Sequence, residues 1–542
     1  MISMFIWNNA LLLLLSVRLP RRLLPGASPW HRTLATILCL PILAILTIFG
    51  TSVAGLLTPG WAGALLALLC AAELLVPARH TPAANGTPRT NRAEACFEFA
   101  GAALLGGLAA LWIFDSGMAC TSFRFDDLTY HAASSAHWLQ QATLSLPPYT
   151  FQSYYPHNAE LLNLWFMLPL RGDAHANLAV LVWIALSASA LLAIARAFAG
   201  ARALALFAAA SLLASPEIRF FSDSFSGGDL AAAGFGLAAF AFAHVPPGDD
   251  ERTRFGRALF CGLAAGAAAG TKATMLAPAA ILLGWWCWRA VTSESSAGIG
   301  RRELLVFAAS LMITGGYWYA RNWVLTGNPL FPAEVGPFDG PFDRASQWQT
   351  SFAGRMAPHW RAPGFWPVFL FPHLRWPLPL GLTSALGYAL AAGAAVLWRR
   401  RIPAELRSYA LLLAVAGLLV IVLFPFQPFS GTINRPTAPV NLRLRYLSFA
   451  FALGLTLYGS LGPRKTRWAV LAALLPAYGI FAALRTLTGH ETVLVAVGAA
   501  VTALLDCLVW SRATCSVSST HSLYSAPSIS STEEGARPRR PS

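Results

Sequence analysis

Apolar residues run along this chain in long unbroken blocks separated by short polar connections; they do not alternate with polar residues. A helix that crosses a hydrocarbon core needs roughly 20 such residues, at about 1.5 Å each. The blocks predict membrane-spanning helices at 34–57, 61–78, 97–114, 176–197, 229–245, 303–320, 377–397, 407–425, 445–461, 468–485 and 490–510. Shorter or interrupted blocks lie at 202–214, 258–270 and 275–289, and the opening MISMFIWNNALLLLLSV makes a further candidate span. That opening is a poor signal peptide, because it lacks a basic start and a small-residue cleavage site before RLPRR. The pattern predicts an all-α, polytopic integral membrane protein with roughly 13–15 transmembrane helices.

Composition agrees with the pattern. Of 542 residues, 56% are hydrophobic and 12% charged, about half the charged share of a soluble domain. A soluble enzyme, a disordered chain and a nucleic-acid binder are excluded. The net charge of +15 needs no nucleic-acid partner, because the basic residues cluster in short connections between apolar blocks. Arginines occupy 18–32, 79–92, 252–257, 289–302, 399–407 and 464–467, and the spans put all of these on one side, expected to be cytoplasmic. The long, aromatic and acid-bearing connections 115–175, 215–228, 321–376 and 426–444 fall on the other side, where function is expected. The tail from Thr514 is rich in Ser, Thr, Pro and Arg and reads as disordered and cytoplasmic. Cys39, Cys70, Cys261, Cys287 and Cys507 lie in apolar blocks, where cysteine behaves as a small buried hydrophobe, and no CxxC pair suggests a metal.

The first outer connection carries the chemistry. Asp126 and Asp127 stand side by side close to the membrane boundary, followed by Tyr130 and His131. On a helix starting there, Asp127 shares a face with Tyr130 and His131. The stretch 128–141 reads as an amphipathic interfacial helix, with Leu128, Trp138 and Leu139 dipping into the headgroup region. Adjacent carboxylates beside an apolar surface repel, which raises the pKa of one of them. That suits a general base for an acceptor hydroxyl, or a divalent cation bound by Asp126, Asp127 and His131, with Mg²⁺ or Mn²⁺ the workable ions. The plainer reading is that Asp127 caps the helix and Asp126 is solvated.

The run Asp126-Asp127-x-x-Tyr130-His131 in a first large outer loop resembles the acidic signature of the GT-C glycosyltransferases, which include protein mannosyltransferases and the aminoarabinose and Rgt-type transferases of bacteria. YYPHNAELLNLWFMLP (154–169), SDSFSGGDLAAAGFGLAAFAF (222–242), GLAAGAAAGTKATMLAP (262–278) and RNWVLTGNPLFP (321–332) look similar to further stretches of bacterial members. The resemblance implies a GT-C-like catalytic core over 97–335, preceded by N-terminal helices (1–96) and followed by an outer loop with C-terminal helices (336–510) and the tail (511–542). It also implies a polyprenyl-phosphate-linked sugar as donor, a lipid, glycan or protein hydroxyl as acceptor, and work on the extracytoplasmic face of a bacterial-type inner membrane. Asp126 is then the base and Asp127 the second acid, with Tyr130 or His131 as orienting neighbour. Developing phosphate charge calls for cations: Lys272 first, Arg321 second, Arg443 and Arg445 third. For the two classes of helix-end arginine, snorkelling to the headgroups is the alternative. Asp229 serves either as an active-site acid or as the charge complement of its helix N-terminus. His157 and Asn158, in an aromatic run, are candidates for sugar contact, and the Trp-rich 321–376 loop for a cover over the cavity. A transporter or flippase of a lipid-linked substrate is the competing function.

Overall fold

The computed structural model describes residues 1–75, 126–148, 150–198, 227–292, 300–351 and 402–423, with a few isolated positions between them. All belong to one compact unit, Met1–Ala483. The predicted spans 202–214, 377–397, 445–461, 468–485 and 490–510, the tail, and all of 97–114 but four isolated helical positions lie outside the described residues.

Within them the chain is helical, as lipid demands: a backbone with no water to bond must satisfy itself within the segment. The helices are α1 (Ile2–Leu23), α2 (Pro29–Val53), α3 (Pro59–Leu75), α4 (Ala132–Gln141), α5 (Asn158–Met167), α6 (Leu178–Ala197), α7 (Gly228–Phe242), α8 (Glu251–Ala269), α9 (Leu276–Thr292), α10 (Arg301–Thr326), α11 (Arg344–Thr350) and α12 (Ala404–Leu423). Among the described residues the only β pairing is two isolated bridges, Ala333 with Phe342 and Val335 with Phe338. Five segments are long and apolar enough to cross a membrane: α1, α2, α6, α12 and Ala273–Thr292, which contains α9. The opening stretch is thus one such helix, extending to Leu23 through the RLPRR arginines.

Local chemistry sets the helix ends. Ser28 precedes α2 and accepts from the His31 N–H at 3.4 Å, with Pro29 in the first turn. Asp250 caps α8 through the Thr253 N–H at 2.8 Å. At the far end of α10, Gly327 takes φ +74°, a left-handed geometry open to glycine, and returns its N–H to the Trp323 carbonyl.

Helix α8 lies against α10 with backbones in contact. A Cβ on Gly262 would sit 2.3 Å from the Phe307 carbonyl oxygen, and one on Gly266 2.2 Å from that of Leu311. Small residues at such crossings let helices approach closely in lipid. Across the seam Thr314 lies within hydrogen-bonding distance, 2.9 Å, of the Leu263 carbonyl. Helices α1 and α3 run parallel: Asn8 donates to the Pro59 carbonyl at 3.0 Å, and Arg18 and Arg22 pair with Glu73.

These contacts sort the connections into two ends. Arg18, Arg22 and Glu73 share one end with Gly26, whose N–H donates to Thr253 at 3.0 Å, and with the Arg302–Glu251 pair. The start of α12 joins them, since Tyr409 donates to the Phe240 carbonyl at 3.0 Å. At the opposite end, the Leu144 N–H donates to Ser52 at 2.7 Å, setting the 126–157 segment over the end of α2. The described arginine-bearing connections therefore gather at one end and the acid-bearing segment at the other.

Two expectations are corrected. Trp138 does not dip into lipid: it is fully buried, between His157 and Trp318, because its indole N–H needs the Ser145 carbonyl, 2.8 Å away. Cys39, Cys70 and Cys261 are buried, but Cys287 is exposed on α9, a helix that also turns Leu283, Trp288 and Val291 outward.

Candidate functional site

The site begins with a widened turn. Residues Asp127–His131 form a π-helical turn leading into α4, in which the Ala132 N–H reaches back five residues to the Asp127 carbonyl. Such insertions are rare and concentrate at functional sites. Asp126 occupies the cap position and makes no capping hydrogen bond through its side chain, and Asp127 stands in the first turn. Asp127 is fully buried and Asp126 partly exposed.

The turn delivers His131 to a partner the sequence reading passed over. His131 Nδ1 pairs with Oε1 of Glu160, in the first turn of α5 and only 3% exposed. The Ser135 hydroxyl lies 3.2 Å from the His131 carbonyl and 3.3 Å from the Glu160 carbonyl, so it ties the two backbones together. A carboxylate facing Nδ1 requires the hydrogen there, which leaves Nε2 of a neutral ring as an acceptor. Glu160 also faces His157, with Oε2 3.6 Å from Nδ1. Burial pushes the Glu160 carboxyl up, but the two imidazoles outweigh it and hold the group below the usual carboxylate range.

Aromatic rings surround this centre. Tyr130 lies 3.9 Å from the His131 ring, centre to centre, and edge-on to Tyr155 at 6.2 Å. His157 and Asn158 are 1% and 0% exposed, so both touch protein on all sides. His157 Nε2 donates to the Gln152 carbonyl at 3.2 Å and meets Trp138 and Trp318 edge-on, each at 5.5 Å. Asn158 binds the α8–α10 seam: its Nδ2 donates to Thr314 (2.8 Å) and Ala267 (3.3 Å), and its Oδ1 accepts from Trp318 Nε1 at 2.8 Å.

The cations divide. Lys272, just past α8, pairs with Asp229 in the first turn of α7, so this acid has a cationic partner as well as its place at a helix N-terminus. Arg321 sits over the Trp318 ring at 4.9 Å and donates from Nη2 to the Ser153 carbonyl at 2.9 Å and to Asn322 at 3.1 Å. Its Nη1 is buried with no hydrogen-bond partner, and among the described residues no carboxylate pairs with it. Through Trp318 and His157 it belongs to the same cluster as Glu160 and His131. Arg443 and Arg445 lie outside the described residues. Asp126, Asp127 and His131 do not assemble a metal site: among the described residues no group of three His, Cys, Asp or Glu is placed to hold an ion, and His131 Nδ1 is committed to Glu160.

The chain matches no family profile and no curated protein. Its fold is similar to crystal structures of ArnT from Cupriavidus metallidurans. The structure of ArnT bound to undecaprenyl phosphate is 18% identical over 69% of this chain, with a TM-score of 0.45. The apo structure is 18% identical over 71% of this chain, with a TM-score of 0.44. The match spans 62% and 63% of the length of those two chains.

Proposed function

We propose that this chain is a GT-C-type membrane glycosyltransferase that moves a sugar from a polyprenyl-phosphate carrier to a lipid, glycan or protein hydroxyl on the extracytoplasmic face. The observation that carries the reading is the pairing, at the end opposite the arginine-bearing connections, of an acid–imidazole cluster with a guanidinium that meets no carboxylate among the described residues. Asp126 or Asp127 takes the proton of the acceptor hydroxyl as its oxygen bonds to the sugar C1. The bond from C1 to the phosphate oxygen breaks, and polyprenyl phosphate leaves as an anion. His131, oriented by Glu160, lines the approach of the hydroxyl. Arg321, fixed over Trp318 with Nη1 unsatisfied, meets the developing phosphate charge.

The test supplies purified protein with a radiolabelled polyprenyl-phosphate sugar and compares wild type with Asp126→Asn, Asp127→Asn and Arg321→Gln. Loss of a positioned base lowers transfer about 10²-fold or more, and loss of the guanidinium by a similar factor. Full transfer by both aspartate variants overturns the base assignment. If wild type releases no polyprenyl phosphate from any donor, yet moves a lipid-linked substrate across the bilayer, the protein is a transporter.

A further inference from the structure

A second charged cluster sits at the opposite end of the helices, around the turn Ala243–Asp250 that joins α7 to α8. Arg257, on α8, is 2% exposed and pairs through Nε with Asp249 Oδ2. Its Nη1 is buried and has no hydrogen-bond partner. Arg254, one turn earlier, donates from Nη1 to the Asp249 carbonyl at 2.9 Å, and its Nε is likewise buried and unsatisfied. From α9, Arg289 leans over Trp285 with its guanidinium carbon 5.7 Å from the ring centre, and the Trp285 indole donates to the Ala243 carbonyl at 3.3 Å, which brings this arginine to the same turn.

Charge does not balance here. Among the described residues Arg254 and Arg257 act on one carboxylate, Asp249, and Arg289 adds a third guanidinium at the same turn through Trp285. The neighbouring acids are used elsewhere: Asp250 caps α8 through Thr253, and Glu251 pairs with Arg302. Burial pushes the Asp249 carboxyl up even against Arg257, so the single compensating charge is itself costly to keep ionised. His244, in the same turn, is held down to about 4 by burial and by the charges of Arg257 and Arg289, so it adds no positive charge at neutral pH. A buried guanidinium with idle donors is expensive unless an anion meets it. The planar N–H fork suits phosphate oxygens, and basic groups between helices at a membrane face are suited to anionic headgroups.

We propose that Arg254, Arg257 and Arg289 form a binding site for a phosphate group, supplied by an anionic phospholipid of the leaflet at this end of the protein. The site is separate from the proposed catalytic cluster and independent of that reading.

The test reconstitutes the full chain in nanodiscs of phosphatidylcholine alone or mixed with phosphatidylglycerol and measures thermal unfolding. Phosphatidylglycerol raises the wild-type midpoint by about 2–4 °C. The double variant Arg254→Gln/Arg289→Gln loses that rise, while Arg302→Gln, at the same end but paired with exposed Glu251, keeps it. Arg257 is left in place, since removing it strands Asp249. If the double variant does not fold, Arg289→Gln alone carries the comparison. A rise produced by inorganic phosphate in phosphatidylcholine discs supports the site and assigns it to soluble phosphate. Equal midpoints in both lipids with phosphate inert, or a full rise retained by the arginine variants, overturn the proposal.

Discussion

The Trp318 indole N–H donates to Asn158 Oδ1 at 2.8 Å, and this bond joins α10 to the first turn of α5. Asn158 spends all its remaining donors on the Ala267 and Thr314 carbonyls, so one side chain links three helices. Asn158→Ala orphans a buried indole N–H, and each such group costs about 1–3 kcal/mol. The variant is expected to lose about 3 kcal/mol or more, read as a lower unfolding midpoint in detergent, with Asn158→Asp also destabilised because it keeps the acceptor but loses both donors.

The α8–α10 seam has no room for side chains at Gly266. Gly266→Val drives its added atoms into the Leu311 carbonyl and is expected to cost at least about 1–3 kcal/mol. Gly284, in α9, has nothing within 4 Å of an added Cβ, and Gly284→Ala is expected to gain about 0.5–1 kcal/mol. Unfolding midpoints of the two variants should move in opposite directions.

Glu160 makes stability depend on acid. Its carboxyl is held below the ordinary value of 4.5 in the folded protein, so its contribution is fully present above that pH and disappears as pH falls toward the depressed folded value. Thermal midpoints of wild type and Glu160→Gln should therefore differ most near neutrality and converge below pH 4.5. A gap that stays constant through that range would contradict the assignment.

The buried Arg257–Asp249 pair should show strong coupling. Asp249→Ala leaves a buried guanidinium with no counter-charge among the described residues and is expected to cost about 3–5 kcal/mol. Adding Arg257→Met should recover part of that loss, and a double-mutant cycle on denaturant or thermal unfolding measures the interaction.

Two exposed positions report the sidedness. Leu128 is 60% exposed beside the candidate site, and an added side chain at Gly248 meets nothing within 4 Å. In intact cells, on a background with the native cysteines replaced, a membrane-impermeant maleimide should label Leu128→Cys and spare Gly248→Cys, with both labelled after lysis. The reverse pattern would place the acids in the cytoplasm.

Apolar blocks made the helices legible, because a lipid-embedded backbone leaves few alternatives to a helix of the block's own length. Boundaries shifted where capping acted: α8 begins at Glu251, ahead of the apolar run at 258, because Asp250 supplies the cap. The aspartate pair and His131 were visible as a local motif. Glu160 was not, since its meaning comes from an imidazole 29 residues away, and in the sequence it reads as an ordinary first-turn acid. Trp138 misled for a similar reason, as an interfacial tryptophan and a buried one look alike until Ser145 and Trp318 are placed around it.

The glycine-lined crossing of α8 and α10 has a mechanical corollary. With backbone set directly against backbone, neither rod can slide along or roll over its mate without first being prised away. Lys272 and Arg321 ride on the neighbouring tips of these rods, tied there by the Tyr319 hydroxyl on the Ala269 carbonyl at 2.7 Å. A shift of one of these helices would therefore take its mate with it, and with it the ends that bear Lys272 and Arg321.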